Sequence, residues 1–320
     1  MTLRLTVQRA AWTSHVRATA DAYGTGIVPV VKGNGYGFGR SVLHEHAGAM
    51  AAEVCVGSVH ELHDVPAGVL PVVLTPTLAG PPASSDAVCT VGRAEHVRAL
   101  AGSGRSVVVK LASSMQRYGT TPTHLPDLMA AVSAARLRVH AFGLHLPLAG
   151  DDESRLAEIE AWLPALDADV PLWVSHLSPG TFRSIVGAHP DRSFRIRVGT
   201  ALWHGAPKGP FLHLGADVID TRPVRAGDVA GYRHSPIPFD GTLVAIGAGT
   251  ATGIAPLDAA EPHQRSPFHY GRQRMQLLEL PHMHTSLVVV RHGHPVPEVG
   301  DIVDVQRPLT AVQVDELTWA

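Results

Sequence analysis

The feature that most constrains this chain is a repeat. A short apolar strand, a loop and an amphipathic helix follow one another from residue 27 to residue 199. Continuous apolar runs of this length mark strands buried on both faces, as in a parallel sheet covered by helices. The runs predict strands at 27–32, 53–57, 71–75, 87–91, 106–111, 139–145, 172–178 and 195–199. A helical stretch over 11–22 precedes them. Between them, Leu125, Leu128, Met129 and Val132 share one helical face, as do Leu156, Ile159, Leu163 and Leu166. Eight strands with intervening helices over about two hundred residues predict a (β/α)8 TIM-type barrel spanning 10–213. A doubly wound open sheet is the alternative, but it usually has fewer strands.

Near Leu214 the texture changes. Strand-like segments at 243–246, 277–280, 286–290 and 302–305 alternate with turns such as Ala226-Gly227-Asp228, and helical patterns are scarce. Residues 214–320 are expected to form an all-β domain, joined by a strand within 1–9 in which Leu3, Leu5 and Val7 alternate with Arg4 and Thr6.

Composition excludes several partners. The net charge is −2 and no basic run occurs, so no nucleic-acid footprint is present. No apolar run approaches membrane-spanning length, and Met1–Val7 carries no leader pattern, so a cytoplasmic location is expected. Cys55 and Cys89, the only cysteines, lie in apolar segments and are read as buried reduced thiols. The chain has 20 histidines, with close pairs such as His44/His46 and His282/His284, but no metal-ligand spacing accompanies them and no metal is expected.

In a barrel, functional side chains gather at the C-terminal strand ends. The first run ends at Val31-Lys32 and passes into Gly33-Asn34-Gly35-Tyr36-Gly37-Phe38-Gly39. A lysine in a low-dielectric pocket has a lowered pKa and attacks carbonyls. Glycines let backbone N–H groups approach an anion. The order fits neither the P-loop, whose lysine follows its glycines, nor the dinucleotide fingerprint, whose third glycine is Phe38 here. The other strand ends carry Lys110 and Arg117, His145, Ser178, and Arg197 with Gly199 and Thr200. Together they suit a phosphorylated, electron-accepting aromatic cofactor.

Here the sequence resembles the alanine racemases of the pyridoxal-phosphate fold-type III group. Residues 31–39 are similar to that family's Val-Lys-Ala-Asn-Ala-Tyr-Gly-His-Gly. Met115-Gln116-Arg117-Tyr118-Gly119 is similar to its Met-x-Arg-Leu-Gly. Arg197-Val198-Gly199-Thr200-Ala201-Leu202 is similar to its Arg-Pro-Gly-Ile-Ala-Leu. The resemblance implies a pyridoxal 5'-phosphate cofactor bound through a Schiff-base lysine at Lys32. It implies phosphate contacts from Tyr36, Ser178, Gly199 and Thr200, and a pyridine-nitrogen contact from Arg197. His145 would pack on the cofactor ring. Arg117 would meet the cofactor's phenolic oxygen and the substrate carboxylate, oriented by Lys110, a lysine often carbamylated in the family. The resemblance also implies a homodimer with a shared active site, acting on a small amino acid.

Two departures matter. The family's second catalytic base is a tyrosine in Gly-Tyr-x-Asp-Gly. The corresponding stretch is Ile246-Gly247-Ala248-Gly249-Thr250, with Ala248 in the tyrosine's place. The family's Met-Asp near the substrate reads Met283-His284, which leaves Met283 as a substrate contact. Three readings follow: a racemase whose second base lies elsewhere, with His284 first and Tyr270 next; a one-base pyridoxal-phosphate decarboxylase, aldolase or lyase; or a cofactor-binding protein without turnover.

Overall fold

The computed structural model describes residues 3–205, 209–257 and 265–320. The chain forms two compact units. One comprises Ser14–Gly35 and Arg40–Pro207; the other comprises Met1–Thr13, Tyr36–Gly39 and Lys208–Ala320.

The first unit is the expected barrel. Its eight strands are Ile27–Pro29, Glu53–Val56, Leu70–Val73, Val88–Val91, Ser106–Leu111, Arg138–Leu144, Leu172–Ser175 and Phe194–Val198. The ladders are parallel from Glu53–Val56 round to Phe194–Val198, which pairs with Ile27–Pro29. A parallel bridge from Val30 to Cys55 closes the ring, with the Val31 amide donating to the Cys55 carbonyl at 2.8 Å. Val28, Val30, Cys55, Val72, Val88, Val108, Ala141 and Trp173 fill the interior, so the barrel is a packed core and not a pore.

Helices Arg40–Met50, Ala94–Leu100, Leu125–Ala134, Asp152–Trp162 and Pro179–Ala188 follow five of the strands. Asp152–Trp162 shows why such a segment folds locally. The Asp151 carboxylate accepts the Ser154 amide at 2.9 Å as an N-cap, and the helix buries Ile159 and Trp162. Two expected α-helices are missing: the connection between the second and third strands holds only the 3-10 turn Val59–Asp64, and residues 74–87, between the third and fourth strands, are irregular. Pro76, Pro81 and Pro82 lack the amide protons a helix would need there.

The second unit is an antiparallel all-β structure with one parallel pair. Leu212–Val224 pairs in turn with Leu3–Val7, Gly241–Ile246 and Ile302–Val305, and Ser286–Arg291 extends the sheet. Glu316–Trp319 lies parallel to Leu3–Val7. Leu3, Leu5 and Val7 are buried while Arg4 and Thr6 are not, matching the alternation in the sequence. The rings of Trp12 and Phe38 lie 5.2 Å apart, and those of Trp12 and Trp319 5.3 Å apart, which anchors the segment Tyr36–Gly39 in this unit. No helix among the described residues is long and apolar enough to cross a membrane.

Candidate active site

The barrel's C-terminal strand ends bring cations together. Lys32 follows the first strand on a turn in which the Gly35 amide donates to the Lys32 carbonyl at 3.1 Å. Gly33 and Gly35 have φ of +61° and +64°, a region that glycine occupies without strain. At Gly35 a Cβ would lie 2.4 Å from the Arg40 amide nitrogen, so the turn admits no side chain there. Lys32 as a whole residue is exposed. Partial burial, then Arg117 and Arg197, lower its pKa and enlarge its neutral, nucleophilic fraction.

Lys110 is buried, with 4% of its surface accessible, and its Nζ donates to the Leu111 carbonyl at 2.6 Å. Burial, then Arg197 and Arg117, bring its pKa down to about 7. Arg117 lies on the turn after that strand and donates from Nη2 to the Tyr118 hydroxyl at 3.0 Å. Arg197 donates from Nη2 to the Leu144 carbonyl at 2.9 Å, while its buried Nε has no partner.

Two imidazoles complete the rim. The Leu146 amide donates to Ser175 Oγ at 3.1 Å, and Ser175 Oγ lies 2.9 Å from His145 Nδ1. The His176 ring is 4.9 Å from that of His145. Burial, then Arg197, take His145 down to about 2 and His176 down to about 4. Both are therefore neutral at pH 7.

Ser178 caps the helix Pro179–Ala188, its Oγ accepting the Thr181 amide at 3.3 Å. The Asp152 carboxylate already occupies that helix end, accepting from the Ser178 amide at 3.1 Å and from Thr181 Oγ1 at 2.6 Å. Gly199 and Thr200 stand at the start of the short helix Thr200–Trp203, directly after the eighth strand.

The remaining expected site residues belong to the β unit. Tyr36 is buried there with φ +55°. Met283 is 66% exposed and His284 is exposed on the same loop. Ala248 is fully buried, and its carbonyl accepts from Ser286 Oγ at 2.7 Å. The Tyr270 hydroxyl is engaged, donating to Asp301 Oδ2 at 2.6 Å. Among the described residues, no three His, Cys, Asp or Glu side chains are grouped to hold a metal ion.

The sequence reading assigned no role to Ser175, His176 or Asp152. His176 had a signal, since it directly follows a buried strand. Its φ of +62°, uncommon for a residue with a Cβ, is visible only in the structure. Asp152 had none, because an acid in a helix's first turn is an ordinary feature.

A parallel barrel with a lysine and several cations at its C-terminal rim, paired with a separate β unit, defines a class whose solved members include alanine racemases. The alanine racemase from Bartonella henselae, a structure with covalently bound pyridoxal phosphate, superposes with a TM-score of 0.75 at 18% identity, covering 99% of each chain. That from E. faecalis gives 0.72 at 20% identity, covering 100% of this chain and 98% of the other.

The chain belongs to the alanine racemase family, whose N-terminal-domain model matches residues 7–207. The alanine racemase of Mycobacterium bovis is 27% identical over 261 residues, 71% of this chain and 67% of that one. The alanine racemase of Marinobacter nauticus is 30% identical over 185 residues, 48% of this chain and 50% of that one.

Proposed function

We propose that this chain is a pyridoxal 5'-phosphate-dependent amino-acid racemase, with Lys32 as the lysine that binds the cofactor. The observation that carries the reading is the place of Lys32 on the glycine turn that directly follows the first barrel strand, where burial and then Arg117 and Arg197 lower the pKa of its amine. The residues fit the cofactor on a separate count. Arg197 Nε is a buried donor without a partner, suited to an unprotonated ring nitrogen. His145 offers the face of a neutral imidazole. Tyr36, Ser178, Gly199 and Thr200 are the proposed phosphate contacts, and Arg117 and Met283 the substrate contacts.

When bound, the cofactor delocalises negative charge from Cα of an amino acid. The chain must then hold the substrate and move protons at Cα. Arg117 would bind the carboxylate, and the Lys32 amine would take or return the proton on one face. The opposite face needs a second carrier. Ala248 has no ionisable group and Tyr270 is tied to Asp301, so His284, supplied by a second copy of the chain in a homodimer with a shared site, is the proposed carrier. The two free, buried cysteines accord with a cytoplasmic enzyme. The buried alanine at position 248 also favours a second reading, a one-base decarboxylase, aldolase or lyase that breaks one bond at Cα stereospecifically.

The test is a screen of both enantiomers of the amino acids in deuterated water. A racemase incorporates solvent deuterium at Cα of both enantiomers, and a one-base enzyme of one or neither. Lys32→Ala should abolish exchange and also lose the visible absorbance that borohydride bleaches in the wild type. Purified protein that never takes up cofactor would overturn the proposal.

A further inference from the structure

We propose that Tyr118 is a positioning residue for Arg117, fixing the guanidinium that receives the substrate carboxylate. The inference rests on the functional reading above, in which Arg117 has that task. It starts from how Arg117 is held. An arginine loses rotamer entropy when immobilised, so an exposed one stays fixed only if something holds it. Arg117 is exposed and follows Gln116, whose φ is +50°. Tyr118 holds it in two ways. The phenol oxygen accepts from Arg117 Nη2 at 3.0 Å, and the guanidinium carbon lies 4.6 Å from the ring centroid. One contact sets the reach of the side chain and the other sets the tilt of its plane.

The turn that carries the phenol is itself firmly placed. The Thr120 amide donates to the Lys110 carbonyl and the Ala112 amide to the Thr120 carbonyl, both at 2.8 Å, so the turn is clamped at its base. Gly119 has φ +136°, and a Cβ there would lie 2.5 Å from the Leu111 carbonyl carbon. On the other side, Glu158 accepts the Ser114 amide at 2.7 Å and the Ser114 hydroxyl at 2.8 Å. The Tyr118 ring also faces Lys110, whose Nζ is 6.0 Å from its centroid, so a neutral aromatic ring meets both cations.

The choice of a phenol has a chemical consequence. A carboxylate partner would occupy Arg117 with a second anion and compete with the substrate's own. A phenol accepts one hydrogen bond and leaves the full charge and the remaining donors of the fork for an incoming carboxylate. The motif that this turn resembles has leucine at the position, so the phenol is a feature of this chain.

The experiment compares cofactor-loaded wild type with Tyr118→Phe, which keeps the ring and removes the oxygen. KM for the exchanging amino acid should rise about tenfold with kcat within about threefold, as expected for lost ground-state binding. Acetate, a probe with a carboxylate and no amine, should lose affinity by the same factor, read from the shift it causes in the cofactor's visible absorbance. In an Arg117→Lys background, Tyr118→Phe should add nothing to either effect, because the two residues act as a unit. Unchanged KM and acetate affinity would overturn the inference, as would a full additional loss in the Arg117→Lys background. Wild type without cofactor absorbance would sink the functional reading itself, and this inference with it.

Discussion

Arg195 and Arg197 stand two residues apart on the strand Phe194–Val198 and so on one face of its pleat. They end in opposite situations. Arg195, near the strand's start, places Nη1 2.7 Å from Glu53 Oε2 and its guanidinium 5.7 Å from the Trp173 ring. Glu53 also accepts from His140 Nε2 at 2.7 Å. Burial raises the pKa of Glu53, but the His140 hydrogen bond and Arg195 outweigh it and hold the carboxyl below its ordinary value. Arg197, nearer the strand's end, has one backbone carbonyl and no carboxylate partner among the described residues. Burial is the larger cause at each, and the charge of Arg197 adds to it in lowering Lys32, Lys110, His145 and His176 together. One end of the barrel balances its charges for stability, and the other leaves them unbalanced for a ligand with anionic groups.

The comparison breaks first at Arg195. Arg195→Gln would leave Glu53 half-paired in a nearly closed site. Chemical denaturation should show a loss of up to about 3 kcal/mol, discounted from fully buried pairs because the Arg195 side chain is 27% exposed. Activity per folded molecule should stay near wild type. Equal stability of the variant would mean that this network is not what holds the barrel's lower half.

Arg197→Gln should do the reverse. It removes an uncompensated cation, so the fold should keep its stability or gain slightly, while turnover falls about 10–100-fold, or about 1.4–2.8 kcal/mol of transition-state stabilisation. NMR titration should show the His145 and His176 ring protons moving to higher pKa. A variant with wild-type turnover and unmoved histidines would erase the contrast between the two arginines.

Much of this was legible in advance where the information is local. Ser106–Leu111 forms where its run of valines predicts it, and Ile302–Val305 likewise. The first strand stops at Pro29, short of the predicted Lys32, and only a single bridge at Val30 continues it. The seventh stops at Ser175, short of 178, because His176 turns to positive φ. The rim lysines, Arg197 and His145 could be read because each lies at the end of an apolar run, and Arg117 from the motif its turn resembles. The partners could not, since they arise from ring closure between distant strands. Nothing near Glu53 in the sequence announces His140 or Arg195, and nothing near Ser178 announces the Asp152 carboxylate on its amide. The helix absent from 74–87 was legible in its prolines, yet the repeat on either side outweighed them.

The smallest expected effect is on pH dependence, and it tests whether the unbalanced rim carries a cost. His176 titrates at about 4 when folded against an ordinary 6.5, so between those values the unfolded chain binds more protons and stability rises with pH. His145, at about 2, extends the same slope to lower pH. Lys110, at about 7 against 10.5, extends it upward, because only the unfolded lysine stays protonated across that window. Glu53 has the same sign, since its depressed folded pKa contributes stability that is lost as pH falls below the ordinary carboxylate range. Stability should therefore climb from pH 4 to pH 8 with no maximum near the pI of 6.9. His176→Asn should flatten the segment between pH 4 and 6.5 by on the order of 1 kcal/mol, less than the full shift would give because the ring is only half-buried and solvent screens it. Glu53→Gln should flatten only the acid end. A wild-type profile level between pH 5 and 7 would show that the rim histidines titrate normally, and the contrast between the two ends of the barrel would then rest on hydrogen bonding alone.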